Sequence, residues 1–243
     1  LAKEAGLQAN FHDVDIPEYW VRSGDNNMLS GHVNLTISRS VKENRYIFMG
    51  KNILTIDFDP YVSKKHFPKK TVNKSVVLAM FYNNKGGQAI LEGKLDEAYA
   101  YIKKSTLIAP NFSPAWGNLG VLYTKSKQDY LALNAYQHAI KVDGSNLNAL
   151  ANMSLLLSRQ GEYEQVKRIQ KILHKKRSKN PYYYALLADR AFYKGDNEMA
   201  IAFYQKAIFI SRKTPDFHFE LAKVYFASDE HVKARKSLKL AMR

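Results

Sequence analysis

There is no cysteine among the 243 residues, so neither a disulfide nor a thiolate metal site can form in this chain. That absence leaves the redox compartment open. No apolar run approaches the roughly 20 residues needed to span a bilayer as a helix. Seven histidines are scattered, with no HExxH motif and no paired ligand spacing, and no Gly-rich phosphate loop occurs. Neither metal nor cofactor is therefore expected. Acidic residues are few, 22 against 37 lysines and arginines, for a net charge of +15. The basic excess gathers at 64–74, 167–179 and 233–243. It allows attraction to nucleic acid, an anionic membrane or an acidic peptide, but no nucleic-acid motif accompanies it and solvated helix faces are the favoured account of it. The opening Leu1-Ala-Lys-Glu-Ala-Gly6 has no initiator Met and no signal-peptide layout, and reads as the interior of a longer protein. Localisation is left open.

What is present is periodicity. Ala98, Ala132, Ala200 and Ala234 lie at multiples of 34, with Val166 replacing the small residue once. Gly86, Gly120, Ser154, Ala188 and Ala222 keep the same interval. The strongest unit, 113–146, carries Trp116-x-x-Leu119-Gly120-x-x-Tyr123 ahead of Ala132, Tyr136 and Ala139. With Ser113 as position 1, positions 8 and 20 are small because two helices approach closely there. Positions 7, 11 and 24 are large and fill the layers between units. Gly93, Gly161 and Gly195 occupy position 15, where the first helix must stop. Pro110, Pro181 and Pro215 fall in connections or at helix starts.

These residues resemble the tetratricopeptide repeat family. The resemblance implies a mainly α fold, with five helix pairs at 79–112, 113–146, 147–180, 181–214 and 215–243. They would form a superhelical solenoid over 76–243 whose concave groove holds a protein or peptide. Repeat three departs from the pattern at Val166, Gln170 and Leu173 and ends in a basic tail, so a longer or displaced second helix is expected there. The last repeat lacks a polar capping helix, which leaves continuation or oligomerisation through that end open. In this family positions 2, 5, 6, 9 and 12 commonly face the groove. Position 6 is Asn84, Asn118 and Asn152 in three successive units. Side-chain amides offer both donor and acceptor to an extended peptide backbone, and the row is similar to the asparagine ladder of O-linked N-acetylglucosamine transferases. The Lys/Asn/Arg clamp of chaperone-tail binders is absent. Repeats four and five offer Tyr182, Phe192 and Phe219, with Phe226, as an aromatic wall for an apolar segment or as inter-helix core.

The first 60 residues have a different texture. His32-Val-Asn-Leu-Thr-Ile-Ser alternates like a half-buried strand, and Arg45-Tyr-Ile-Phe-Met and Ile53-Leu-Thr-Ile-Asp57 follow, parted by Gly50-Lys51-Asn52. The first residues read as the last turns of a helix stopped by Gly6, giving a small α+β segment: helix, loop, antiparallel sheet. If the strands pair, His32 and Asp57 become neighbours, as a hydroxyl or thiol nucleophile requires.

The segments Leu1-Ala-Lys-Glu-Ala-Gly6-Leu7, Ser30-Gly31-His32-Val33-Asn34 and Ile56-Asp57-Phe58-Asp59-Pro60 resemble the transglutaminase-like superfamily of papain-type thiol enzymes. The resemblance implies His32 as base and Asp57 as its orienting partner, with Asp59 as the alternative. It also implies a nucleophilic cysteine at the head of the helix preceding residue 1. Residues 61–75 read as a basic linker. The combined reading is a bacterial-type two-part protein, a protein- or peptide-binding repeat module behind a partial transglutaminase-like domain over 1–60. This chain alone is not expected to catalyse. Two alternatives stay open: the substrate-recruiting part of a Cys–His–Asp protease or transamidase, or a scaffold with a dead front domain.

Overall fold

A computed structural model describes residues 7–16, 20–23, 26–29, 32–39, 54–57 and 67–242. The expected first helix over 1–6, the strand at 45–49 and Asp59 lie outside the described residues. The chain divides into two compact units, one of Leu1–Ile16 with Gly31–Leu173, the other of Pro17–Ser30 with His174–Arg243.

The first unit contains a four-stranded antiparallel sheet built from β1 (Leu7–Val14), β4 (His32–Arg39), β5 (Leu54–Ile56) and β6 (Lys69–Val72), in the order β5-β4-β1-β6. The register sets Val14 opposite His32 and Leu7 opposite Arg39 on β1 and β4, and Leu35 opposite Ile56 on β4 and β5. Because side chains alternate along a strand, this register sorts the sheet into two faces. Ala9, Phe11, Val33, Leu35, Ile37 and Ile56 share one. Asn10, His12, His32, Asn34, Thr36 and Thr71 share the other. A separate hairpin pairs β2 (Trp20–Ser23) with β3 (Asn26–Leu29).

Two features differ from the sequence expectation. Residues 7–29, read as loop, contain three strands. The supposed linker 61–75 contains β6, which adds to β1 through Phe11–Val72 and Val14–Lys69. In β6 the two consecutive lysines, Lys69 and Lys70, hide the strand pattern, because an edge strand buries little and tolerates charge.

Ten α-helices follow among the described residues. In the first unit these are α1 (Lys74–Leu91), α2 (Leu95–Ile108), α3 (Ser113–Lys125), α4 (Asp129–Val142), α5 (Leu147–Arg159) and most of α6 (Tyr163–Arg177). In the second they are α7 (Pro181–Tyr193), α8 (Asn197–Ile210), α9 (Pro215–Ala227) and α10 (His231–Ala241). Odd-numbered helices are the first helix (A) of each repeat and even-numbered the second (B). Helix starts are capped by Asn73, Asn146, Asn180 and Asp196, whose side chains accept from backbone N–H groups in the first turn.

The 34-residue series is visible in the packing. Position 20 is fully buried at Ala98, Ala132 and Ala200 and 8% exposed at Ala234. A side chain at Gly120 would overlap the ring of Tyr136, and one at Gly86 would overlap Ile102, so position 8 must stay small where position 24 is large. Position 15 is left-handed in every repeat: Gly93, Gly161 and Gly195 at φ 74°, 81° and 78°, and Lys127 and Asp229 both at 58°. The geometry of the turn is thus kept even where the residue is not glycine, at a local cost of roughly 1 kcal/mol. In repeat three, α6 runs to 15 residues where α2, α4 and α8 have 14. Its Val166, Ile169 and Leu173 pack with Leu150 and Leu157 of α5.

Candidate functional site

On the polar face of the sheet, His32 opens β4 and Asp57 directly follows β5, and antiparallel pairing brings them together. His32 Nε2 lies 2.7 Å from Asp57 Oδ1, with the side chains 11% and 5% exposed. A carboxylate only accepts, so Nε2 donates its proton to it, and the tautomer this selects has its lone pair on Nδ1. Asn34, two residues along β4 and 3% exposed, donates its Nδ2 to Asp57 Oδ2 at 3.2 Å. Asp57 is therefore gripped on both oxygens, which fixes the plane of its carboxylate and the direction in which it holds the imidazole.

The next polar position across the sheet is His12 on β1, opposite Asn34. Its Nε2 lies 2.7 Å from Thr36 Oγ1, and its Nδ1 3.2 Å from Thr71 Oγ1 on β6. Burial and the neighbouring Lys69 both lower the His12 pKa and favour the neutral ring. Asn34 and His12 were not singled out from the sequence. The signal for Asn34 was there, since polar residues at 32, 34 and 36 alternate with Val33 and Leu35. That for His12 was there as well, since Gln8, Asn10 and His12 alternate with Leu7, Ala9 and Phe11, in a segment read as loop.

On the repeats, Asn84 is exposed on α1, and Asn118 on α3 and Asn152 on α5 are half-buried. Asn118 donates its Nδ2 to Asn83 Oδ1 at 2.9 Å, tying the second A helix to the first. Its Oδ1 is left without a partner among the described residues. In the second unit Phe219 is 47% exposed, with Lys223 Nζ 5.9 Å from its ring centroid. Tyr182 stacks edge-on with Phe217 at 5.2 Å, and Phe192 packs against the core around Ala188, Leu221 and Tyr225. Of the three aromatic positions Phe219 is the most exposed. No group of three His, Cys, Asp or Glu side chains that could hold a metal occurs among the described residues. No described helix is long and apolar enough to cross a membrane.

Paired helices in 34-residue register, with small residues at the crossings, define the class: the chain carries tetratricopeptide repeats behind a small antiparallel sheet. The family described as "Tetratricopeptide repeat" matches residues 113–146, and "TPR repeat" matches 188–229. A curated relative, the chloroplastic tetratricopeptide repeat domain-containing protein PYG7 of Arabidopsis thaliana, is 35% identical over 89 residues. That match takes in 37% of this chain and 30% of the relative, so the chain spans under a third of that protein. Among solved structures, pilF of Pseudomonas aeruginosa is similar over 70% of this chain and 78% of its own, with 20% identity and a TM-score of 0.48. MamA (residues 41 to the end) of Desulfovibrio magneticus RS-1 is similar over 70% and 94%, with 17% identity and a TM-score of 0.42.

Proposed function

We propose that the repeats hold an extended protein or peptide segment on their A-helix faces, along the row Asn84, Asn118, Asn152. The observation that carries this is the Asn118–Asn83 hydrogen bond, which orients the middle amide of the row before any ligand arrives and leaves its carbonyl oxygen available. A preoriented amide forfeits little rotamer entropy on binding, which is where affinity for an extended backbone is otherwise lost. In the second unit Phe219 offers an apolar contact on α9. To test this, peptides are selected from a random 12-residue library on the whole chain. The affinity of those peptides is then measured on an Asn84→Ala/Asn152→Ala variant. A loss of about tenfold supports the reading; unchanged affinity removes it.

A second reading rests on a separate observation, the 2.7 Å His32–Asp57 contact with both carboxylate oxygens engaged. In a longer protein this pair would supply base and orienter to a thiol nucleophile. Asp57 would hold the ring, and His32 Nδ1 would take the thiol proton and later return it to the leaving amine. Both peptide hydrolysis and transamidation use those proton transfers. The corresponding Asp59 role and the upstream cysteine belong to the same proposal. Alkylation of a cysteine in the longer protein by iodoacetamide tests it. Alkylation that slows at least about tenfold in His32→Ala supports the pairing; a rate indifferent to His32 leaves the sheet a purely structural element.

A further inference from the structure

The B-helix side of the second unit carries a groove that the A-helix reading does not use. It lies between α8 and α10, with α9 as its floor, and encloses about 700 Å³. The floor is apolar: Ile208, Leu221 and Tyr225. Phe209 and Leu240 stand at its edges, 68% and 38% exposed. The rim is cationic, with Arg212 closing one end and Lys233 and Lys236 rising from α10. No acidic residue lines it. Two lysines already lie over its aromatic rings, Lys233 Nζ 5.5 Å from the centroid of Tyr225 and Lys206 Nζ 5.4 Å from that of Phe209.

A second cavity, lined from α2, α3 and α4 in the first unit, lies at different repeat positions, the start of one B helix and the end of the next A helix. There the cavity is about 370 Å³, its charged lining residue is Asp96, and no lysine or arginine lines it. Three repeats earlier in the sequence, the counterparts of Arg212, Lys233 and Lys236 are Pro110, Leu131 and Asn134, so the cationic rim is not a property of the repeat as such. Lys233 is partly neutralised by Glu230. Arg212 and Lys236 make no ion pair among the described residues.

We infer that the α8–α10 groove is a docking site for an acidic amphipathic protein segment, with leucine or phenylalanine side chains seated on Ile208, Leu221 and Tyr225 and carboxylates meeting Arg212 and Lys236. Charge complementarity selects the occupant. A neutral apolar segment would leave the cations desolvated without partners, and a basic one would be repelled. A bare polyanion would gain from the rim but not from the apolar floor. The site is separate from the Asn84–Asn152 row, so the two can fail independently.

The test uses the whole chain and a fluorescein-labelled 14-residue peptide in which leucine and phenylalanine recur every three to four residues among glutamates. Its companion has glutamine at every glutamate. The expected result is saturable binding by anisotropy that weakens about tenfold or more in Arg212→Glu/Lys236→Glu and several-fold in Phe209→Ala. The glutamine peptide should bind at least about tenfold more weakly, and Lys171→Glu and Asn84→Ala/Asn152→Ala should leave binding unchanged. Far-ultraviolet circular dichroism confirms that each variant remains folded. The inference is overturned if folded Arg212→Glu/Lys236→Glu binds like the parent or if the two peptides bind alike. It is equally overturned if a single-stranded oligonucleotide or phosphatidylserine vesicles bind the groove in place of the peptide.

Discussion

The sheet and the repeats solve opposite problems with the same chain. In the repeats, each contact recurs 34 residues later, so a small residue at position 8 and a large one at position 24 specify the packing locally and repeatedly. In the sheet, every side-chain contact of the polar face is made once, across 23 to 59 residues of sequence, and depends on register. A one-residue slip of β5 against β4 would send Asp57 to the apolar face. Redundant local packing suits a surface that presents many similar contacts. A single registered contact suits a site that holds one ring in one orientation. The polar face of the sheet is accordingly where His32 and Asp57 are paired and partly buried.

The comparison breaks most readily at the repeat crossings. Gly120→Val places side-chain atoms into the Tyr136 ring, and a loss of about 3 kcal/mol is expected in urea unfolding. A loss under about 0.5 kcal/mol would mean that the crossing is loosely packed. The same crossing responds to pH. Burial raises the Tyr136 phenol from 10 to about 12, a shift that the hydrogen bond with Thr124 at 3.2 Å lessens. The folded state therefore favours the protonated phenol. This contribution is fully present below pH 10 and is lost as pH rises from 10 to 12, by about 2–3 kcal/mol at the upper end. Thermal melts of wild type and Tyr136→Phe should diverge across that window and not below it.

In the sheet, Asp57→Ala removes the acceptor of both His32 and Asn34 and leaves two partly buried donors without it. A loss of about 1–3 kcal/mol is expected, read as faster amide exchange in β4 and β5 with α1 to α4 unchanged. Exchange that accelerates equally in the helices would show sheet and repeats to be one cooperative body. The smallest effect sharpens the repeat side. Lys127→Gly and Asp229→Gly relieve left-handed non-glycine residues and should each stabilise by about 0.5–1 kcal/mol, whereas Gly161→Ala should cost about 1 kcal/mol. A destabilising Lys127→Gly would mean that the lysine side chain contributes more than its backbone strain costs.

Legibility follows the same division. The five helix pairs were readable because Ala98, Ala132, Ala200 and Ala234 repeat one steric demand, and the turn at position 15 kept its shape even at Lys127 and Asp229. The neighbourhood of His32 and Asp57 was readable from strand alternation around each. Strand β1 was not, because Asp13 falls on the face of Leu7, Ala9 and Phe11 and cuts short their alternation with Gln8, Asn10 and His12. Strand β6 was not, because Lys69 and Lys70 look like linker. The role of Asn34 emerges only when both oxygens of Asp57 are seen to be occupied. The cationic groove rests on which side chains end up side by side from α8, α9 and α10, which no single repeat displays.

The most direct test of the binding surface follows the side-chain amide resonances of Asn84, Asn118 and Asn152 while a selected peptide is titrated into the isotope-labelled chain. The account predicts saturable shifts of all three at one common affinity, with the backbone of α1, α3 and α5 moving alongside. Binding that leaves these amides unmoved while only even-numbered helices respond would contradict it.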